Sequence, residues 1–139
     1  MFRALLSIVG RISLAAIFVM SAVGNKIPKF DTVAAYMETE KVPNPKIALA
    51  GAIVFLLVGG TLLITGFWAR FGALLLAVFI AAATYYFHDF WTLEDVIGRE
   101  EQMIQFMKNL SIFGALMFII ANGGGAGCFD FRRREPPLS

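Results

Sequence analysis

The sequence predicts an all-α membrane protein, an antiparallel bundle of four transmembrane helices forming a single domain over residues 1–139. Three observations predict it. Hydrophobic residues make up 58% of the chain and charged residues 16%, with a mean hydropathy of +0.73; a soluble domain carries about 25% charge to cover its surface. The apolar residues gather in four blocks, at about 4–23, 47–68, 70–87 and 106–122, and a bilayer core takes about 20 helical residues. Pro28, Pro43, Pro45, Pro136 and Pro137 all lie outside the blocks, as uninterrupted helices require. Only helices and closed barrels satisfy every backbone group within hydrocarbon.

Block one is interrupted by Arg11. Arg3 and the small residues Ala22-Val23-Gly24 resemble a cleavable signal peptide, but Arg11 splits what would be its unbroken apolar core. Residues 24–46 then form a long loop, in which Val33-Ala34-Ala35-Tyr36-Met37 suggests a short interfacial helix. Block two, and block three from Phe71 to Phe87, carry no charge and are joined by only a few residues around Gly66–Arg70, which makes them a tight hairpin. A second long loop, 88–105, leads to block four, which has Lys108 and Asn109 near its start. Both long loops fall on one side of the membrane and both termini on the other. The terminal side carries Arg3, Arg11, Arg70, Arg132, Arg133 and Arg134, against Lys26, Lys29, Lys41, Lys46, Arg99 and Lys108 opposite. The numbers balance, but the Arg132–Arg134 run sits tightly against helix four as a membrane-flanking anchor. By the positive-inside rule this favours cytoplasmic termini in a bacterial inner membrane.

Membrane helices associate through close backbone approach and hydrogen bonds, and each block offers a stripe suited to that. The stripes are Ser7, Arg11, Phe18, Ser21 and Asn25 in the first block, and Gly51, Phe55, Gly59 and Gly66 in the second, with Gly60 adjacent. The third block has Ala73, Ala77, Ala81, Thr84 and His88, and the fourth Lys108, Ser111, Ala115, Phe118 and Asn122. They imply a compact bundle and not a pore.

The residues that could carry chemistry are few. Arg11 is the most expensive side chain in the sequence, since arginine near the bilayer centre costs roughly 2.5–3.5 kcal/mol on insertion scales. It either snorkels to the terminal side or points inward to a buried acid, backbone carbonyls or an anionic ligand. His88-Asp89, among Tyr85-Tyr86-Phe87 and Phe90-Trp91, fits an aromatic belt. It fits equally a proton-shuttling histidine and carboxylate between aromatic walls that suit a quinone carbonyl. Asn25-Lys26 and Lys108-Asn109 mark the same membrane edge, so the three places can converge as a polar rim or serve simply as anchors. The candidate ligand-binding residues are therefore Arg11, Asn25, Lys26, His88, Asp89, Lys108 and Asn109.

Other chemistry is disfavoured. One histidine and one cysteine are too few for a typical protein-only catalytic metal or iron–sulfur site. Gly123-Gly124-Gly125-Ala126-Gly127 lacks the Lys-Ser/Thr of a nucleotide loop and reads as a helix exit. Cys128 reads as an inert thiol. A net charge of +2, scattered along the chain, does not suit nucleic acid.

The segments Phe55–Gly60, Gly66–Leu76 and Thr84–Trp91 resemble the DoxX-like family of small four-helix membrane proteins. Phe106-Met107-Lys108-Asn109-Leu110 and the glycine-rich exit with Asp130 continue the resemblance, and Arg11 and Ser21–Lys26 match more loosely. Many members carry an acid early in helix two, near the position of Phe55 or Leu56, and this chain has none. The family's Ser-Gly in helix one reads Ser21-Ala22 here. Relatives include DoxD, a subunit type associated with thiosulfate–quinone oxidoreduction, and others linked to thiol or oxidative-stress complexes. The resemblance implies a redox-associated subunit, without a covalently bound cofactor, that binds a quinone or docks a thiol- or sulfur-oxidising partner. The alternatives are a non-catalytic anchor or scaffold, acting as a homo-oligomer or with a partner in the bilayer, and a small-solute carrier with Arg11 meeting an anion.

Overall fold

The first helix, α1 (Phe2–Ser21), does not stop where its apolar block stops. It continues through one π-helical turn, Ala22–Lys26, closed by the Ile27 amide donating to the Ala22 carbonyl at 2.9 Å. The chain then turns into α2 (Phe30–Thr39), α3 (Pro45–Thr65), α4 (Ala69–Phe87) and α5 (Val96–Asn122), with a 3₁₀ turn at Phe90–Thr92. This computed structural model describes residues 1–129. Asp130 and the Arg132–Arg134 anchor lie outside the described residues.

Four helical stretches are long and apolar enough to cross a membrane: Phe2–Lys26, Pro45–Thr65, Ala69–Thr92 and Val96–Asn122. The chain is an integral membrane protein, and among the described residues it contains no strand. The short helix expected around Val33–Met37 is part of α2, which packs on α3 at the loop-side end. Its Ala34 and Met37 pack with Val42 and with Leu49 of α3 in a small cluster of their own.

Two boundaries differ from the hydropathy pattern. Gly66, with φ +73°, ends α3 in a left-handed cap, so the apolar Phe67 and Trp68 fall in the hairpin turn. And α5 starts at Val96, well before its apolar block. Asp95 caps it by accepting from the Gly98 amide at 2.7 Å, which satisfies one of the helix's orphan donors. Its polar first turns, including Arg99, Glu100 and Glu101, are largely exposed.

The spans run antiparallel, α1 against α3, α3 against α4, and α4 against α5, while α2 rests on α3. The crossing of α3 and α4 is set by two glycines. A Cβ at Gly59 would lie 3.0 Å from the Gly72 carbonyl oxygen, and one at Gly72 would lie 2.8 Å from the Gly59 carbonyl oxygen. The two backbones touch there, as small residues permit. Around that crossing Leu56, Leu63, Ala69, Ala73, Leu76 and Leu116 are fully buried. Phe18 of α1 reaches α4 edge-on to Phe79, with ring centroids 6.3 Å apart.

The packing face of α5 is not the small and polar stripe. Lys108, Ser111, Ala115, Phe118 and Asn122 are exposed, and the inward side is Asn109, Ile112, Phe113, Leu116, Ile119 and Ile120. Ser111 donates to the Met107 carbonyl at 3.0 Å and Asn122 to the Phe118 carbonyl at 3.0 Å. Their polar groups are satisfied within their own helix, so they need no partner helix, and aliphatic residues take the contact.

Gly72→Val should therefore lower thermal stability in detergent by about 1–3 kcal/mol, the usual cost of overpacking. Gly114→Ala, where the added Cβ meets nothing within 4 Å, should leave it unchanged or slightly raised. Circular dichroism melting of the two purified variants checks the pair.

Candidate functional site

The polar rim begins at the π turn. One more residue per turn than an α-helix makes is accommodated between Ala22 and Ile27, a local feature that recurs at functional sites. It brings the Lys26 ammonium back to donate to Ser21 Oγ at 2.6 Å. The same ammonium stands 5.5 Å from the centroid of the Phe79 ring. Lys26 is half-buried, and Asn25 beside it is exposed.

From α4, Thr84 and His88 face this end. The Thr84 hydroxyl donates to the Ile80 carbonyl at 2.6 Å, so its oxygen must accept the Asn109 amide proton at 2.9 Å. That fixes the Asn109 side chain with its carbonyl oxygen as the remaining acceptor. His88 ends α4, its backbone amide donating to the Thr84 carbonyl at 3.0 Å. Its Nδ1 lies 2.7 Å from Gln102 Oε1. With that oxygen accepting, Nδ1 carries the proton and Nε2 is the acceptor.

Of the residues at this end, Ser21, Asn25, Lys26, His88 and Asn109 line a cavity of about 550 Å³ at the loop side, with Thr84 and Gln102 behind them as hydrogen-bond partners. All five helices line it. Asn25, Lys26, His88 and Asn109 supply polar groups, and Phe18, Phe79, Phe87 and Ile112 supply apolar wall. Its volume lies within the range of about 300–1,000 Å³ usual for small-molecule sites. Tyr36 of α2 closes one side, its ring stacked on Phe87 with centroids 5.6 Å apart. Burial, then the charge and hydrogen bond of Glu40 and the charge of Asp89, push its phenol above the ordinary tyrosine value. It stays protonated through the neutral range.

Four of the seven residues singled out in the sequence meet at this cavity. Three do not. Asp89 turns away from the His88 side: its carboxylate accepts from Thr92 Oγ1 at 3.0 Å, and it lines a separate cleft with Glu40, Tyr85, Tyr86 and Trp91. His88 is thus oriented by Gln102 and not by Asp89. Lys108 is exposed on the outer face of α5, beside Met103, Ile104 and Met107.

Arg11 is at the opposite end of the bundle, 3% exposed. Its Nη1 donates to the Gly124 carbonyl at 2.6 Å and its Nη2 to the Gly127 carbonyl at 3.2 Å. Of the alternatives open in the sequence, the structure takes the inward one with backbone carbonyls. Cys128 donates to the Gly66 carbonyl at 3.0 Å, and Arg70 to the Ala121 carbonyl at 3.1 Å.

Sequence reasoning missed Gln102 and the role of Thr84 as a hydrogen-bond acceptor. Gln102 lies in what reads as a loop, and only the early start of α5 puts it one face away from His88. The glycine run 123–127 was visible, but only as a helix exit.

A family model described as DoxX matches residues 6–89. The chain belongs to the DoxX family. The inner membrane protein YphA of Escherichia coli (strain K12) is 30% identical to it over 131 residues, covering 94% of this chain and 91% of that protein. No solved structure matches the chain. The DoxX match includes Arg11, Lys26, Thr84 and His88, whereas Gln102 and Asn109 on α5 lie beyond it.

In this DoxX chain the arginine's carbonyl bonds hold the tail against α1. Arg11→Met should release it and expose Cys128, which is half-buried in the intact chain. Maleimide labelling of Cys128 in detergent should then quicken by about tenfold, as expected when a local opening loses charged hydrogen bonds. Arg11→Lys should fall between the two.

Proposed function

We propose that this chain is a redox-associated membrane subunit whose loop-side cavity binds the head of a quinone. The observation that carries the reading is the meeting of Lys26, His88 and Asn109 on an apolar and aromatic wall at the membrane edge. A quinone needs a flat apolar slot with donors at its carbonyls, and its reduced form needs acceptors for its hydroxyls. The Lys26 ammonium supplies the first, and His88 Nε2 and the Asn109 carbonyl supply the second. Aromatic rings at the wall suit a flat ring between them. Binding in such a cavity serves a partner oxidoreductase that exchanges electrons with the ligand. The carrier reading draws less support, since Arg11 lies outside the cavity lining and its Nη1 and Nη2 donate to the Gly124 and Gly127 carbonyls.

The relative's description as an inner membrane protein supports the same location here, and arginines at the terminal end support cytoplasmic termini. A fluorescent protein fused after Ser139 should fluoresce, and alkaline phosphatase fused there should be inactive. The opposite pattern would invert the orientation and put the cavity on the cytoplasmic side.

Binding itself is tested on the purified protein with a soluble-tailed quinone, followed by tryptophan quenching or calorimetry. His88→Ala and Asn109→Leu should each weaken the quinone by about tenfold, the worth of one hydrogen bond at a buried site. Asp89→Asn and Lys108→Ala should leave it unchanged. If wild type binds no quinone, or if Asp89→Asn is as damaging as His88→Ala, the cavity is not the site.

A further inference from the structure

The cavity has a charge imbalance that its shape does not require. Among its lining residues the formally charged ones are Lys26 and Lys29, and neither aspartate nor glutamate lines it. Lys29 is exposed, but Lys26 is half-buried, with its ammonium against Ser21 Oγ and over the Phe79 ring. Among the described residues the one ion pair joins Lys46 to Asp31 at 3.5 Å. Glu40 and Asp89, the acids nearest this end of α4, line the separate cleft. So Lys26 has no carboxylate within ion-pair reach among the described residues.

An ammonium drawn from water into a partly apolar site loses hydration that one hydroxyl and one ring face restore only in part. An anionic oxygen restores it, through a charge-assisted hydrogen bond roughly twice as strong as a neutral one. The π turn matters because it is what carries the ammonium inward; in an uninterrupted α-helix the residue would lie on a different face.

We propose that the cavity selects ligands bearing an ionised oxygen on an apolar body, and that the quinone it takes is an acidic one, held as its anion with the oxygen on Lys26. This rests on the quinone reading above, and the shared chemistry, an anionic head with an apolar tail, also describes a fatty acid. The two sources are separable by experiment.

Three probes are compared on the purified wild-type protein in a neutral detergent at neutral pH. They are an alkyl hydroxynaphthoquinone, whose ring hydroxyl is ionised there, its uncharged methyl ether, and a long-chain fatty acid. Each is then repeated on Lys26→Met and Lys26→Arg, with a melting curve confirming that both variants fold. If Lys26→Met does not fold, Lys26→Gln takes its place. The hydroxyquinone should bind about tenfold or more tighter than its ether, and that gap should vanish in Lys26→Met and persist in Lys26→Arg. Equal binding of acid and ether, or a gap that Lys26→Met leaves intact, overturns the anion selectivity while leaving quinone binding in place. Tight, Lys26-dependent fatty-acid binding with neither quinone bound overturns the quinone assignment and keeps the anionic site. Binding of none of the three overturns both.

Discussion

A buried guanidinium with no carboxylate partner among the described residues is the constraint from which the architecture follows. Removing an arginine from water costs several kcal/mol after relaxation, and Arg11 recovers this from carbonyl oxygens that α5 leaves behind as it ends. The bonds to Gly124 and Gly127 tie the first span to the chain following the last. That closure is needed because α1 packs on α3 and α5 packs on α4, with no extended contact between α1 and α5 themselves. The α3–α4 hairpin crowds the same guanidinium: an added Cβ at Gly66 would lie 3.2 Å from Arg11 Cζ. At Gly124 an added Cβ would lie 2.8 Å from Ala69 Cβ, so the residue that supplies the shorter of the two carbonyl bonds has no room for a side chain.

The opposite, loop-side end is held by the Asn109–Thr84 and His88–Gln102 hydrogen bonds, and there the helices line the cavity. Its floor is apolar because it is the top of the bundle core, and its rim is polar because each helix reaches the interface at that level. The helix α2 completes the wall with Tyr36 and Met37. The two ends thus divide the polar residues by role: Arg11 and Arg70 bind backbone and hold the fold, whereas Lys26, His88 and Asn109 stand round open space. This division explains why the most conspicuous charge in the sequence is not at the candidate site.

The four spans were legible because hydrocarbon leaves few alternatives, and so was the rim, because Asn25-Lys26, His88 and Asn109 all sit where apolar blocks end. The side-chain partnerships were less so. His88 and Asp89 are neighbours in sequence, but the end of α4 turns them to opposite sides, and Gln102 reaches the imidazole from a helix whose first turns are too polar to register as a span. The inward face of α5 was displaced by one residue, since Ser111 and Asn122 satisfy themselves along their own helix and hydropathy does not record that. The partner of Arg11 is backbone, which has no side-chain signature. The π turn leaves no mark in composition at all.

That turn also gives the chain a sensitivity to length that differs sharply along its course. Between α2 and α3 Val42 is buried but Lys41, Pro43 and Asn44 are exposed, and an inserted residue beside them is absorbed by loop geometry. Between Ser21 and Ile27 the helix has no such slack. The π turn already holds one residue more than an α turn does, so adding another there would swing everything beyond it by about 100°, turning the lysine away from Ser21 and dragging the start of α2 off its seat on α3. The spacing from Ser21 to Lys26 therefore has an upper limit, and substitutions at the exposed Val23 and Gly24 are tolerable where insertions beside them are not.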